Sequence, residues 1–223
     1  MTATHRDSPL LLLAFTSFDL FLRPHLSNGA NLLKTCNFDK IYQLGDSLSD
    51  TGNLIRDGPI GASSVFASLP YGETYFEIAT GRCSNGLLMI DYIDFVNFKN
   101  LLHLNPSSPL NGLSQLKEAI EEPKKNYPDT VIVYGDYYRF FQQLFRNAES
   151  LGFDGASSQK ACCGTGGDYN FNLTKMCGAP GVPVCQNPNE HISWDGVHLT
   201  QEAYNIMSGW LLSDILPKLH CPV

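Results

Sequence analysis

The 223 residues contain no Cys-x-x-Cys pair and no His-Glu-x-x-His run, the usual frames of a zinc site. Nor does any uninterrupted apolar run reach the ~20 residues that a bilayer-crossing helix needs. Charge is sparse at 17%, and positive charge sparser: 15 Lys and Arg stand against 22 Asp and Glu, a formal net charge of -7. Such a chain lacks the cation clusters that grip phosphates, which argues against nucleic acid as a partner. No basic amphipathic stretch marks a membrane surface, and no internal repeat is visible. The Gly-x-Ser-x-Gly elbow of ordinary α/β hydrolases is missing too.

What remains is a chain that is 43% hydrophobic and long enough for one sizeable core, read as a single α/β domain. Its seven cysteines, an odd number, point to disulfides in an oxidising compartment, with at least one thiol left over. Cys162, Cys163, Cys177 and Cys185 allow three pairings, and excluding a strained vicinal bridge leaves two. Arg6, the apolar run from Leu10 to Phe15 and the small residues Asn28-Gly29-Ala30 read as a secretory leader over residues 1–30. In a secreted chain Asn172-Leu173-Thr174 is a glycosylation sequon.

The most informative stretch is Ile41 to Asn53. A short apolar run stops at Gly45-Asp46-Ser47, which reads as a buried strand ending in a tight turn that presents one hydroxyl. In open α/β sheets that carboxyl end is where ligands sit, so Ser47 is a candidate nucleophile. Further along, a helix carries Met89, Tyr92, Ile93 and Val96 on one face. From about Phe98 the pattern blurs, and residues 105–112 read as linker. A second helix is expected around Leu113, Leu116, Ala119 and Ile120, ending near Pro123. The β-branched run Thr130 to Tyr134 reads as a strand buried on both faces. After it, Tyr137, Phe140, Phe141, Leu144 and Phe145 form a helical apolar stripe, read as core rather than as a ligand box. Thr200 is the expected N-cap of a final helix whose apolar face holds Ala203, Met207, Trp210 and Leu211.

Just before that helix, Asp195 and His198 lie three residues apart, close enough for the carboxylate to fix the imidazole tautomer. His198 could then take the proton of Ser47. A metal set of His191, Asp195 and His198 ranks below this, for want of a fourth ligand. Either motif alone is weak; both, each at an element boundary, are much stronger.

These stretches, with Pro70 to Thr74, Thr80 to Asp94, Val131 to Tyr138 and Ala161 to Gly164, resemble the plant GDSL esterase/lipase family of the SGNH hydrolase superfamily. The resemblance implies a flavodoxin-like three-layer α/β/α fold over residues 36–223 that hydrolyses small-molecule carboxylic esters without a cofactor or metal. Ser47 matches the family nucleophile, His198 the base and Asp195 its partner; the amides of Ser47 and Gly86 match two oxyanion donors. The family's Gly-x-Asn-Asp block, whose Asn completes the oxyanion hole, has no counterpart, and the resemblance breaks near residues 97–113. An internal segment therefore reads as deleted, which leaves two other expectations open: an impaired remnant, or acyl transfer by the same triad. Oligomeric state is not legible.

Overall fold

The computed structural model describes residues 41–44, 46–94, 101–104, 121, 124–126 and 133–219. The expected leader, the helix around Leu113 to Ile120, Val96, Cys36 and Cys221 lie outside them.

Two strands, β1 (Ile41–Leu44) and β2 (Leu101–Leu104), run parallel, with Ile41 opposite Leu101 and Leu44 opposite Leu104. β1 falls where its apolar run places it. Its partner had no expectation to meet, because residues 101–104 carry no strand signal: Leu-Leu-His-Leu has neither a β-branched residue nor strict alternation. Of the strand expected over Thr130 to Tyr134, residues 130–132 lie outside the described set, and Val133 and Tyr134 are irregular backbone. That segment leads directly into a helix instead.

Among the described residues four α-helices have defined bounds and follow the local chemistry, and residues 121 and 124–126 are helical as well. α1 (Gly58–Ala62) is a single turn with Pro59 at its start, and α2 (Met89–Asp94) carries the expected stripe in part. α3 (Tyr137–Arg146) starts at Asp136, whose carboxylate accepts the Arg139 amide at 3.1 Å. α4 (Gln201–Ile215) starts at Thr200, whose Oγ1 accepts the Ala203 amide at 3.3 Å. Both caps satisfy a donor that the first turn leaves open. The main core forms where α2, α3 and α4 meet: Leu88 and Ile90, Phe140 and Leu144, and Ala203, Tyr204 and Met207 pack together, closed by Phe153, Ile192 and Leu199. Trp210 and Leu211 lie half-buried against it. The architecture is α/β, and no helix among the described residues is long and apolar enough to cross a membrane.

A second, smaller core lies under the cysteine-rich segment. Cys162 bonds to Cys185 and Cys163 to Cys177, one of the two pairings open from sequence, around buried Tyr71 and Trp194. Cys83 is a buried free thiol.

Candidate active site

Ser47 sits in the turn that follows β1. The Asp46 carbonyl accepts the amides of Ser49 and Asp50 at 2.9 and 3.1 Å, and the Asp46 carboxylate accepts that of Leu48 at 3.0 Å. The Ser47 amide has no partner among the described residues. Beyond the turn, the buried Asp50 carboxylate gathers the amides of Gly52, Asn53 and Leu54 at 2.8, 2.6 and 2.9 Å. Arg82 ties this loop to α2: it forks onto both Asp91 oxygens at 2.8 and 2.6 Å and donates to the Thr51 carbonyl at 3.2 Å. Gly52, at φ 123°, is required here, since a side chain would strike the Thr80 carbonyl.

Asp195 and His198 are held by a tight loop. Ser193 and Leu199 bridge antiparallel, and the Trp194 amide donates to the His198 carbonyl at 2.8 Å. The Asp195 carboxylate divides its oxygens. Oδ1 accepts the amides of Val197 and His198 at 2.9 and 2.8 Å. Oδ2 accepts His198 Nδ1–H at 2.7 Å and the Tyr71 hydroxyl at 2.8 Å. Burial alone would raise this carboxyl's pKa; the hydrogen bonds and charge of His198, with the Val197 amide, win and hold it below the usual carboxylate range. Tyr71 goes the other way: burial, then the neighbouring Asp195 charge, raise it far above the ordinary tyrosine value, so it stays a neutral donor.

The tautomer follows from these partners. An ionised carboxylate only accepts, so Nδ1 carries the imidazole proton and Nε2 is left as the acceptor. Ser47 Oγ lies 2.8 Å from that Nε2 and donates to it. Phe66 packs perpendicular to the imidazole with ring centres 5.8 Å apart. The structure thus joins Ser47, His198 and Asp195 into one chain of hydrogen bonds, an arrangement that can raise the nucleophilicity of a serine hydroxyl.

Gly86 is buried, with its amide 3.4 Å from Ser84 Oγ, a long contact that leaves the donor weakly engaged. Its neighbours fix it from both sides. Asn85 Oδ1 accepts the Gln201 amide at 2.7 Å, while Gln201 Oε1 accepts the Leu87 amide at 3.0 Å. The Gly86 segment is thereby clamped to the first residue of α4, and a side chain at 86 would collide with Gln201. Asn172 is exposed, its Oδ1 accepting the amide and hydroxyl of Thr174 at 2.9 and 2.8 Å. The His191 imidazole turns to the Asn187 carbonyl at 3.2 Å, away from the Asp195–His198 pair. The metal-type grouping among the described residues is Cys162, Cys185 and His191, whose two sulfurs are bonded to each other.

Sequence reasoning missed Tyr71, Asp50 and the Asn85–Gln201 clamp. The short turn Pro70-Tyr71-Gly72 was visible, but nothing local announces that its hydroxyl meets a carboxylate 124 residues away.

The family profile of the GDSL-like lipases/acylhydrolases matches residues 104–211, a span that holds Asp195 and His198 and leaves Ser47 outside. A GDSL esterase/lipase of Arabidopsis thaliana is 53% identical over 108 residues, 48% of this chain and 32% of that protein. The chain thus spans about a third of that relative's length. Acetylajmalan esterases 1 and 2 of Rauvolfia serpentina are each 28% identical, over 83% and 92% of this chain and 89% and 97% of theirs. Those alignments run over 336 and 355 residues, more than the 223 present here, so many internal residues of both relatives have no counterpart. No solved structure matches the chain. The profile, which spans just under half of the chain, and these relatives make the chain similar to the plant GDSL esterases/lipases, with internal residues of the longer relatives left unmatched.

Proposed function

We propose that the protein is a serine ester hydrolase working through an acyl-enzyme at Ser47. The observation that carries the reading is the unbroken relay from Ser47 Oγ through His198 to Asp195, at 2.8 and 2.7 Å. Ser47 Oγ attacks the ester carbonyl carbon as its proton passes to His198 Nε2. The C–O bond to the alcohol then breaks, and the same proton leaves on the alcohol oxygen. Water, deprotonated in turn by His198, releases the acid and restores Ser47. Asp195 holds the tautomer and balances the imidazolium, and Tyr71 fixes the carboxylate that does so. The amides of Ser47 and Gly86 receive the developing oxyanion.

The Asn donor of the resembling family is absent, and one missing donor lowers turnover by about 10²–10³-fold. A slow enzyme is therefore expected, acting on small-molecule esters. The proposed frame is one flavodoxin-like α/β/α domain over residues 36–223, its deletion near 97–113. Two disulfides and the exposed Asn172 sequon support a chain made in the secretory pathway, led by residues 1–30 and glycosylated at Asn172. A fluorophosphonate probe tests the central claim: it should label Ser47 and spare Ser47→Ala. A folded sample that takes no label overturns it.

A further inference from the structure

The apolar stripe of α3 divides on folding. Phe140 and Leu144 enter the core, but Phe141 and Phe145 stay only half-buried, their ring centres 4.9 Å apart. With Tyr169, Val197 and Leu199, they wall a cavity of about 330 Å³ whose lining also includes His198. A cavity of roughly 150 Å³ holds a benzene ring, so this one has room for a ring and a linker. Apart from His198 its lining carries no ionisable group but the Tyr169 phenol, and polarity comes mainly from Ser193 and Gln159. A charged ligand would lose its hydration there without a partner.

The chemistry of the relay says which half of the ester belongs here. His198 must hand its proton to the departing alcohol oxygen, so the alcohol half lies against His198, while the acyl carbonyl turns to the oxyanion amides. We infer that this cavity is the alcohol subsite, and that it selects esters whose alcohol carries an uncharged flat ring one or two carbons from the ester oxygen. The inference rests on the hydrolase reading for the direction of proton transfer. The stripe that the sequence presents as core is therefore core on one side and substrate wall on the other.

Two measurements separate the subsite from the activity. The first is binding of 2-phenylethanol and of ethanol to the Ser47→Ala protein, followed by saturation-transfer NMR. 2-Phenylethanol should bind, ethanol should not, and Phe145→Ala or the exposed-loop variant Tyr169→Ala should weaken the signal. The second compares kcat/KM for 2-phenylethyl acetate and ethyl acetate, whose alcohols are similar leaving groups. The ring should raise kcat/KM by at least about tenfold, the scale on which apolar pockets discriminate, and the ratio should fall toward one in either variant. Ring binding without turnover of any ester leaves the cavity a ring-binding site but overturns the hydrolase and, with it, the assignment to the alcohol half. No ring binding to Ser47→Ala, or equal kcat/KM for the two esters, overturns the subsite.

Discussion

The two halves of the candidate site are built by different means. Asp195 and His198 sit in a loop that organises itself: one carboxylate caps two of its amides, and the cystine-rich segment is sewn to it. The Cys162 and Cys163 amides donate to the Ser193 and Trp194 carbonyls at 3.0 and 2.7 Å, and each cysteine carries a disulfide to a different point of the same segment, Cys185 and Cys177. The Ser47 turn is also capped locally, by Asp46 and Asp50, but no disulfide braces it. It depends on a four-residue parallel strand pair, on Asp50 and on the Arg82–Asp91 fork. A base and its acid can be encoded within four residues, whereas a nucleophile at a strand end must be placed by distant chain.

The contrast can be broken most severely at the relay. Ser47→Ala and His198→Ala should each lower kcat by about 10⁴–10⁶-fold. Ser47→Ala should leave the thermal midpoint nearly unchanged, while Asp195→Ala should lower activity and midpoint together, because only Asp195 also caps its loop. Calorimetry beside an esterase assay decides.

Reducing the disulfides attacks the self-organised half. Closing a loop of about 15 residues contributes roughly 3 kcal/mol, and for a chain of this size each kcal/mol moves Tm by about 2–4 °C. Cys163→Ser with Cys177→Ser should therefore lower Tm by about 6–12 °C. If Tm holds, the bracing of the 193–199 loop comes from its hydrogen bonds alone.

On the Ser47 side, Asp50→Ala strands three amides. Of the three, Gly52 is the buried one; an unsatisfied buried donor costs about 1–3 kcal/mol, so labelling of Ser47 should slow. In hydrogen exchange, protection should drop at residues 52–54 and persist at 197–198; loss at both would mean that the two halves unfold as one unit.

Tyr71→Phe removes one bond to a charged oxygen, a contribution of about 1.5–3 kcal/mol at most, and should reduce kcat/KM by roughly 10–100-fold. The low-field Nδ1 proton resonance of His198 should shift in this variant, which a merely structural tyrosine would not cause.

The smallest effect is on acid stability. Because Asp195 is held below the carboxylate range when folded, the unfolded chain binds its proton more readily. Its stabilisation is therefore complete above the unfolded value of about 3.9 and is lost as pH falls through the lower folded value. The gap in Tm between the native chain and Asp195→Asn should close in that acid window and not above it.

What the sequence disclosed follows the same division. Asp195, His198 and the Thr200 cap were legible because their partners lie within a few residues. The disulfides narrowed to two pairings by cysteine geometry alone, and only the fold chose between them. Ser47 was legible as a strand end, but its companion strand Leu101–Leu104 was not, since four residues without β-branching carry too little pattern. Tyr71 and the Asn85–Gln201 clamp act across 124 and 116 residues, and no local signal spans that distance. The α3 stripe was legible as apolar; which of its rings face core and which face a cavity depends on how the helix rolls against α4.

The split carboxylate of Asp195 gives this position two dependents. One oxygen answers to the main chain of its own loop, the other to the imidazole and the phenol. An amide in its place can keep an acceptor toward the backbone only by turning its NH₂ toward both side chains, which forces His198 into the opposite tautomer. The reverse orientation preserves the tautomer and uncaps the loop. On the proposed mechanism, an amide at residue 195 therefore keeps either the cap or the tautomer, and only the carboxylate serves loop and imidazole at once.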